Sequence, residues 1–312
     1  MKGVILAAGK GSRLYPVTYH IPKPLLPLAN RMTLAYAFDR LKELGITEVC
    51  LVVGESERAM RDSLGAGAEH GVSLSYVRQH EPKGLAHALG FAREFVGDDD
   101  FVLYLGDAIY GGGFQQQFEL FQTSRCANLN LVKQVDDPSR FGVATVDGDR
   151  IVRLVEKPAK PESNWAMAGL YFFRSAIWDV LPGLKPSARG EYEITDAIQT
   201  LIDGGHDVRA GAYEKEWFDT GTRESFLQTS RFLAGDAPLV GAGATIAADI
   251  GPGVVVGEGA TVRCDRIENS VVLPGATVIA YGEVRGCLLG GGINVEGDLV
   301  DQIAFEDREP PA

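Results

Sequence analysis

Between residues 1 and 235, short and almost wholly apolar runs alternate with amphipathic stretches. That alternation restricts the fold more than any other feature of the chain. The runs at 3–8, 48–53, 74–77 and 101–105 read as strands. The stretches at 33–44, 57–64 and 85–95 read as helices. A β-α-β-α order of this kind predicts an α/β fold with a doubly wound, mostly parallel sheet of Rossmann-like type. The run FVLYL at 101–105 is apolar throughout, as a strand covered on both faces requires. Further strands are expected at 128–135, 142–146, 151–156 and 166–173, and helices at 193–202 and 223–233. Gly204 and Gly205 stop the first of those helices.

The texture changes near residue 238. Aliphatic residues then recur at a six-residue interval, first Ile250, Val256 and Val262, then Val272, Val278 and Val284. Glycines crowd between them and charges are sparse. A six-residue period predicts a short left-handed β-helix of about three turns, with a small irregular β sandwich as the alternative. The expected domains are 1–235 and 236–305, followed by a polar, Pro-containing tail at 306–312 that frays.

The bulk chemistry narrows the possible partners. The net charge over 312 residues is −12, which disfavours a nucleic-acid backbone as ligand. A local cationic loop can still hold a small anion. No run approaches the ~20 apolar residues of a membrane span, and the N-terminal run is too short for a signal-peptide core. Cys50, Cys126, Cys264 and Cys287 are far apart and form no CxxC pair, which disfavours a zinc site or a disulfide framework and fits a reducing cytoplasm.

One acid-free stretch, LAAGKGSRLYPVTYHIPKPLLP at 6–27, follows the first strand. A Gly-rich loop in that place cradles phosphate with backbone N–H groups, or is simply a tight turn with solvated cations. The pattern GxxxxGK[ST] is absent, and Leu14 stands where a dinucleotide fingerprint needs its third glycine. Pro16, Pro22, Pro24 and Pro27 restrict the path of the loop, so Arg13 and Lys23 are pre-positioned. Two such cations beside a run of N–H donors suit a triphosphate.

This stretch resembles the signature loop of the sugar-1-phosphate nucleotidylyltransferases, in particular the long-form glucose-1-phosphate thymidylyltransferases. The resemblance covers roughly residues 1–235, and the hexapeptide-like tail is similar to that of the long form. It implies that dTTP, or UTP, reacts with glucose 1-phosphate to give a nucleotide sugar and pyrophosphate. Mg²⁺ is the implied cofactor. On the matching positions, Leu6, Ala8, Gly9, Gly11, Ser12 and Arg13 would line the nucleotide, and Arg13, Lys23 and Lys157 would serve the chemistry. The attack brings two anions together, so positioning and charge neutralisation supply most of the rate.

Asp107 ends the run FVLYLGD and Asp219 lies in WFDTGTRESF. Read alone, Asp107 is a turn or helix-cap aspartate and Asp219 a cap for the helix that follows. The resemblance makes both of them metal ligands and adds Asp107 to the nucleotide site. In EKP, Glu156 and Lys157 form an exposed ion pair, or else Glu156 accepts sugar hydroxyls and Lys157 binds the sugar phosphate, as the resemblance implies. Gly142, Met167, Gly169, Tyr171 and Arg189 match sugar-phosphate positions, although 166–173 also reads simply as a buried strand. Gln79 and Gly84, in RQHEPKGLAHAL, match base-reading positions. A glutamine amide suits the imide edge of thymine or uracil, and a glycine admits close backbone approach.

Three positions depart from the family pattern. Ala8 replaces a glycine, Ala108 an asparagine near the sugar, and Arg31-Met32 a Lys-Pro pair. Two other readings carry less. A hexapeptide acyltransferase would use a histidine base, but all five histidines precede the repeat region. A non-catalytic nucleotide-sugar sensor would have lost a cation or a metal ligand, and all are present. The tail is expected to pack or oligomerise, giving a homo-oligomer.

Overall fold

The computed structural model describes residues 1–235 and 237–306. Most of the tail expected to fray thus lies outside the described residues. The chain forms two compact units. The first comprises Met1–Gly9 and Tyr36–Trp217, and the second Lys10–Ala35 and Phe218–Ala312.

The first unit is built on one nine-stranded sheet. Its strands are β1 (Lys2–Ala7), β2 (Glu48–Val53), β3 (Ser73–Arg78), β4 (Phe101–Leu105), β5 (Asn128–Gln134), β6 (Gly142–Asp147), β7 (Arg150–Glu156), β8 (Trp165–Phe173) and β9 (Val208–Ala212). The order across the sheet is β3-β2-β1-β4-β8-β5-β9-β7-β6. Neighbours β3, β2, β1 and β4 are parallel, and so are β5 and β9. The remaining pairs are antiparallel, with β8 running against β4, β5 and β6. The expected strands are all present. The sheet is more mixed than the alternation alone suggested, because β7 follows β6 through a tight turn that leaves no room for a crossover helix, and β8 enters the sheet against β4, β5 and β6.

Strand order reverses at β1. From it the chain steps to β2 and β3 on one side and then to β4 on the other. The crevice beyond the carboxyl ends of β1 and β4 is the place where sheets of this kind take ligands. Val4, Leu103, Phe101 and Phe173 are fully buried, so the centre of the sheet is a rigid base for whatever lies at that edge. Helices differ from expectation in detail. The segment 85–95 breaks into Leu85–Gly90 and Arg93–Val96, and the helix Gln115–Ser124 has too polar a face to stand out in the sequence.

In the second unit, strands from 239 onward stack in parallel. Leu239 pairs with Val255, Val255 with Val271, Val271 with Leu288, and Leu288 with Ile303. Ile246, Val262, Val278 and Ile293 make a second column. Ile250, Ile267, Val284 and Leu299 make a third. The hexapeptide period is therefore the step from one column to the next, and among the described residues the chain returns to the first column four times and to each of the others three times, where about three turns were expected. Val256, Val262, Val272, Val278 and Val284 all point into this core. Ile250 does not. It lies on the first, uncovered coil and is exposed.

The Gly-Pro loop belongs to this unit. A tight hairpin, Pro27–Leu28 against Arg31–Met32, turns through Ala29 and Asn30, both in the left-handed region. Asn30 Nδ2 donates to the Val256 carbonyl at 2.9 Å, and His20 stacks on Phe305 with ring centroids 3.9 Å apart.

Candidate active site

Asp107 stands immediately past the carboxyl end of β4. The Gly106 N–H donates to the Leu6 carbonyl at 3.0 Å, which joins this turn to the end of β1. On the other side, the buried Tyr104 hydroxyl donates to the Ala108 carbonyl at 3.0 Å. The carboxylate is thus carried on a turn pinned at both ends. The next element is the strand Ala108–Tyr110, so the helix-cap reading of Asp107 does not hold. Ala8 lies in the same neighbourhood, and Gly54 opposite it has no room for a side chain, since a Cβ would meet the Ala8 carbonyl oxygen at 2.7 Å.

A second group surrounds Glu156 at the end of β7. Its Oε2 accepts from the Thr195 hydroxyl at 3.1 Å. Its Oε1 faces Lys157 Nζ at 3.3 Å and Arg189 Nη1 at 3.4 Å. Arg189 also pairs with Glu191 and with the buried Glu193. Burial pushes the Glu193 carboxyl above the usual carboxylate range, and the Ser187 hydroxyl donating to it opposes that shift. Asp196 is raised by burial and by the nearby Glu156 charge. Gly142 closes this cluster, because a Cβ there would lie 2.5 Å from Thr195, 3.1 Å from Met167 and 3.3 Å from Glu156 Oε2. Lys157 itself sits at φ +42°, an uncommon conformation for a side-chain-bearing residue, and its N–H donates to the Phe141 carbonyl. EKP thus forms the ion pair, with the Glu156 carboxylate between the Lys157 and Arg189 cations.

Met167, Gly169 and Tyr171 lie on β8 and are buried. The register of β8 slips between Met167 and Tyr171, with Gly169 at φ +80° in the slip. Burial drives the Tyr171 phenol far above its ordinary range, helped by the charges of Glu156 and Asp107. That hydroxyl stays protonated and can act as a donor.

A third group lies past the end of β3. The buried Gln79 extends its Nε2 to the Gly84 carbonyl at 3.3 Å and to His87 Nδ1 at 3.0 Å. Gly84 is at φ +106°, pressed against the backbone of Tyr192. Tyr192 pairs with this loop in strand fashion, donating to the Lys83 carbonyl and accepting from the Ala86 N–H. His87, Tyr192, Thr195 and Glu193 escaped the sequence reading. The first lies in the GLAHAL stretch itself, but its partner Gln79 is eight residues away and across a turn.

In the second unit, Gly11 is left-handed at φ +66° and accepts from the Thr18 hydroxyl at 2.8 Å. A Cβ on Gly11 would touch Lys23 and Thr18 at 3.1 Å. Lys23 is buried, so its ammonium is held in place and not left to wander in solvent. Arg13 and Ser12 are exposed on the short turn Ser12–Leu14. The Arg13 guanidinium and the Asp219 carboxylate both crowd Gly221. Asp219 does not cap the helix Arg223–Ala234. Thr222 does, through a capping box with Ser225.

The chain and its fold have known relatives. The family model described as Nucleotidyl transferase matches residues 2–235. This chain belongs to the nucleotidyl transferase family. It is an enzyme of that kind. It is 42% identical over 238 residues to glucose-1-phosphate thymidylyltransferase of Streptomyces antibioticus, spanning 76% of this chain and 67% of that protein. It is 43% identical over 241 residues to the low-salt glycan biosynthesis nucleotidyltransferase Agl11 of Haloferax volcanii, spanning 77% and 68%. Among solved structures it is similar to UDP-glucose pyrophosphorylase in complex with UDP-glucose, at TM-score 0.67 and 26% identity over 74% of this chain and 97% of the other.

Among the described residues no cluster of three or more His, Cys, Asp or Glu side chains could hold a metal by itself. Two carboxylates suffice for a hard cation that completes its shell with water and phosphate oxygens. Asp107, in the first unit, and Asp219, in the second, are each oxygen donors of the type such a cation prefers. No described helix is long and apolar enough to cross a membrane.

Proposed function

We infer that this nucleotidyl transferase is a glucose-1-phosphate thymidylyltransferase that converts dTTP and glucose 1-phosphate into dTDP-glucose and pyrophosphate. One observation carries the base assignment. Gln79 spends its Nε2 on the Gly84 carbonyl and on His87, which leaves Oε1 as an acceptor for the N3–H of an imide base. Thymine and uracil have that proton, and cytosine does not. The similarity to thymidylyltransferases at 38–42% identity supports the thymidylyl reading.

The residues divide the work. Leu6, Ala8, Gly9, Gly11 and Ser12 offer backbone to the nucleotide, and Arg13 and Lys23 neutralise its phosphates. Lys157 and Arg189 hold the sugar phosphate, and Glu156 accepts sugar hydroxyls beside Gly142, Met167, Gly169 and Tyr171. A sugar-phosphate oxygen attacks the α-phosphorus as the bond to pyrophosphate breaks, and fixed cations offset the charge built up along that line. Mg²⁺ bound by Asp107 and Asp219 would add to this neutralisation. We place the catalytic domain at 1–235 and read the coils at 236–305 as a left-handed β-helix through which copies of the chain associate. The enzyme would work in the cytoplasm.

Pyrophosphate release with Mg²⁺ and glucose 1-phosphate, compared across dTTP, UTP, CTP, GTP and ATP, tests the assignment. Release with dTTP above UTP, and little with the rest, is expected. Preferred use of a purine nucleotide or CTP overturns it. UTP at or above dTTP moves the assignment to a uridylyl or broad-specificity enzyme, which the likeness to UDP-glucose pyrophosphorylase favours as the second reading.

A further inference from the structure

Base selection in this enzyme depends on which way round the Gln79 amide sits, and a neighbouring histidine is placed to decide that. The Gln79 side chain is buried, so it has few ways to reorient. Its Nε2 meets the Gly84 carbonyl at 3.3 Å. A carbonyl can only accept, so this contact requires the NH₂ end of the amide at that place. The second N–H of the same group then meets His87 Nδ1 at 3.0 Å. Nδ1 has to be the bare, accepting nitrogen, and the proton of a neutral imidazole sits on Nε2. The ring cannot swing away easily. It lies edge-on to Phe91 at 5.1 Å and stacks over Tyr192 at 6.0 Å.

The geometry points to His87 as a positioning residue whose neutral Nδ1 keeps the Gln79 carbonyl facing the base, so that its protonation reverses the amide and abolishes imide recognition. Once Nδ1 carries a proton, two N–H groups oppose each other. Turning the amide satisfies Nδ1–H, but it presents NH₂ to the imide N3–H and sets Oε1 against the Gly84 carbonyl. Both consequences weaken binding of a thymine or uracil nucleotide. The charged and titratable groups around the ring are Lys83 and Glu81 on the preceding loop and the Tyr192 phenol from the facing segment. Burial and the Lys83 ammonium favour the neutral ring, with Glu81 opposing. The recognition-competent state is therefore the resting state at neutral pH and is lost on acidification.

This inference rests on the base site proposed above, and its test separates the two. The probes are dTDP-glucose and UDP-glucose, whose diphosphate and base do not titrate between pH 5 and 8. Binding is measured by calorimetry over that range for the wild type, His87→Leu and His87→Asn. Thermal melts check that each variant is folded. In the wild type the Kd is expected to rise about tenfold per pH unit once below the histidine's pKa, the signature of one linked proton. His87→Leu, with no acceptor for the second Gln79 hydrogen, should bind roughly tenfold more weakly at pH 8 and lose that acid limb. His87→Asn can place its Oδ1 near the old Nδ1 and should recover most of the pH 8 affinity while staying flat with pH. If His87→Leu keeps the wild-type pH dependence and affinity, the histidine has no such role, although the base site stands. If the wild type binds neither nucleotide sugar at pH 8, the base site itself is wrong and the inference falls with it.

Discussion

At Gly84 a methyl group would meet the Tyr192 carbonyl oxygen at 2.5 Å and its amide nitrogen at 2.7 Å, in a backbone already at φ +106°. Gly84→Ala should therefore lose about 1–3 kcal/mol from the backbone conformation alone, read as a lowered urea midpoint, and weaken nucleotide binding with it. An unchanged midpoint would mean that the loop is not held as described. Lys23 illustrates a different kind of residue. Its ammonium is carried by a buried stem beneath Gly11, so removing it takes away a charge fixed in advance of the reaction. Lys23→Ala is expected to cut kcat/KM about 10²- to 10³-fold, a typical loss for one preorganised electrostatic contact. A cooperative melt should persist. A smaller loss in a folded variant would remove Lys23 from the phosphate site. The sequence singled out Lys23 by its place among the prolines of the opening loop and Gly84 through the family resemblance, while the burial of one and the close backbone contact of the other came only with the fold. His87 and Thr195 were not singled out, since an isolated histidine or threonine on a helix reads as ordinary until its partner is seen.

Among the elements, the helix Ile194–Asp203 brings two burdened acids to its start, Glu193 and Asp196. Both are raised by burial, with Glu156 adding to each. A carboxyl whose folded pKa lies above its unfolded one keeps a proton that the unfolded chain releases. Stability contributed this way is present below the unfolded pKa and declines as pH rises through the folded one. The wild type should thus lose stability as pH rises above the range in which ordinary carboxyls ionise. The double variant Glu193→Gln, Asp196→Asn should show a flatter curve there by thermal denaturation. A steeper curve would contradict the burial argument. The strand elements behaved differently. Runs such as 101–105 were plain from composition, while the antiparallel pairing of β7 and β8 with their neighbours was hidden, because direction depends on connection length and pairing partner and not on apolarity. The same limit applies to the aspartates. Asp107 read as a turn or cap residue and Asp219 as a cap; Asp107 lies in a turn before a strand, and Asp219 precedes a helix that Thr222 caps.

At the scale of the whole molecule, the coils between 239 and 306 are more than an appendage, for the Gly-Pro loop clusters with them. His20 rests on Phe305, and Asn30 is tied to the Val256 carbonyl. Phe305→Ala removes the stack, and a ring pair of this kind is worth about 0.5–1.5 kcal/mol. If the coil holds the loop in register, kcat/KM should fall about fivefold with the fold intact, by steady-state kinetics beside a melt. Unchanged kinetics would confine the coil to assembly. Loop and coil are more than two hundred residues apart in the chain, and nothing in either segment announces the other.

The sequence by itself determined the strand and helix alternation of the first 235 residues, the repeat of the tail and the Gly-rich, proline-restricted, cationic make-up of the opening loop. Each of these follows from local chemistry. Apolar periodicity decides which face is buried, glycine permits left-handed turns, and proline restricts the path. Only the tertiary structure decided the rest. It reversed the strand order at β1 beside Asp107, ringed Glu156 with Lys157, Arg189 and Thr195, and set His87 against the Gln79 amide. Those are long-range pairings, and their energies depend on distances between groups that the chain order leaves unspecified.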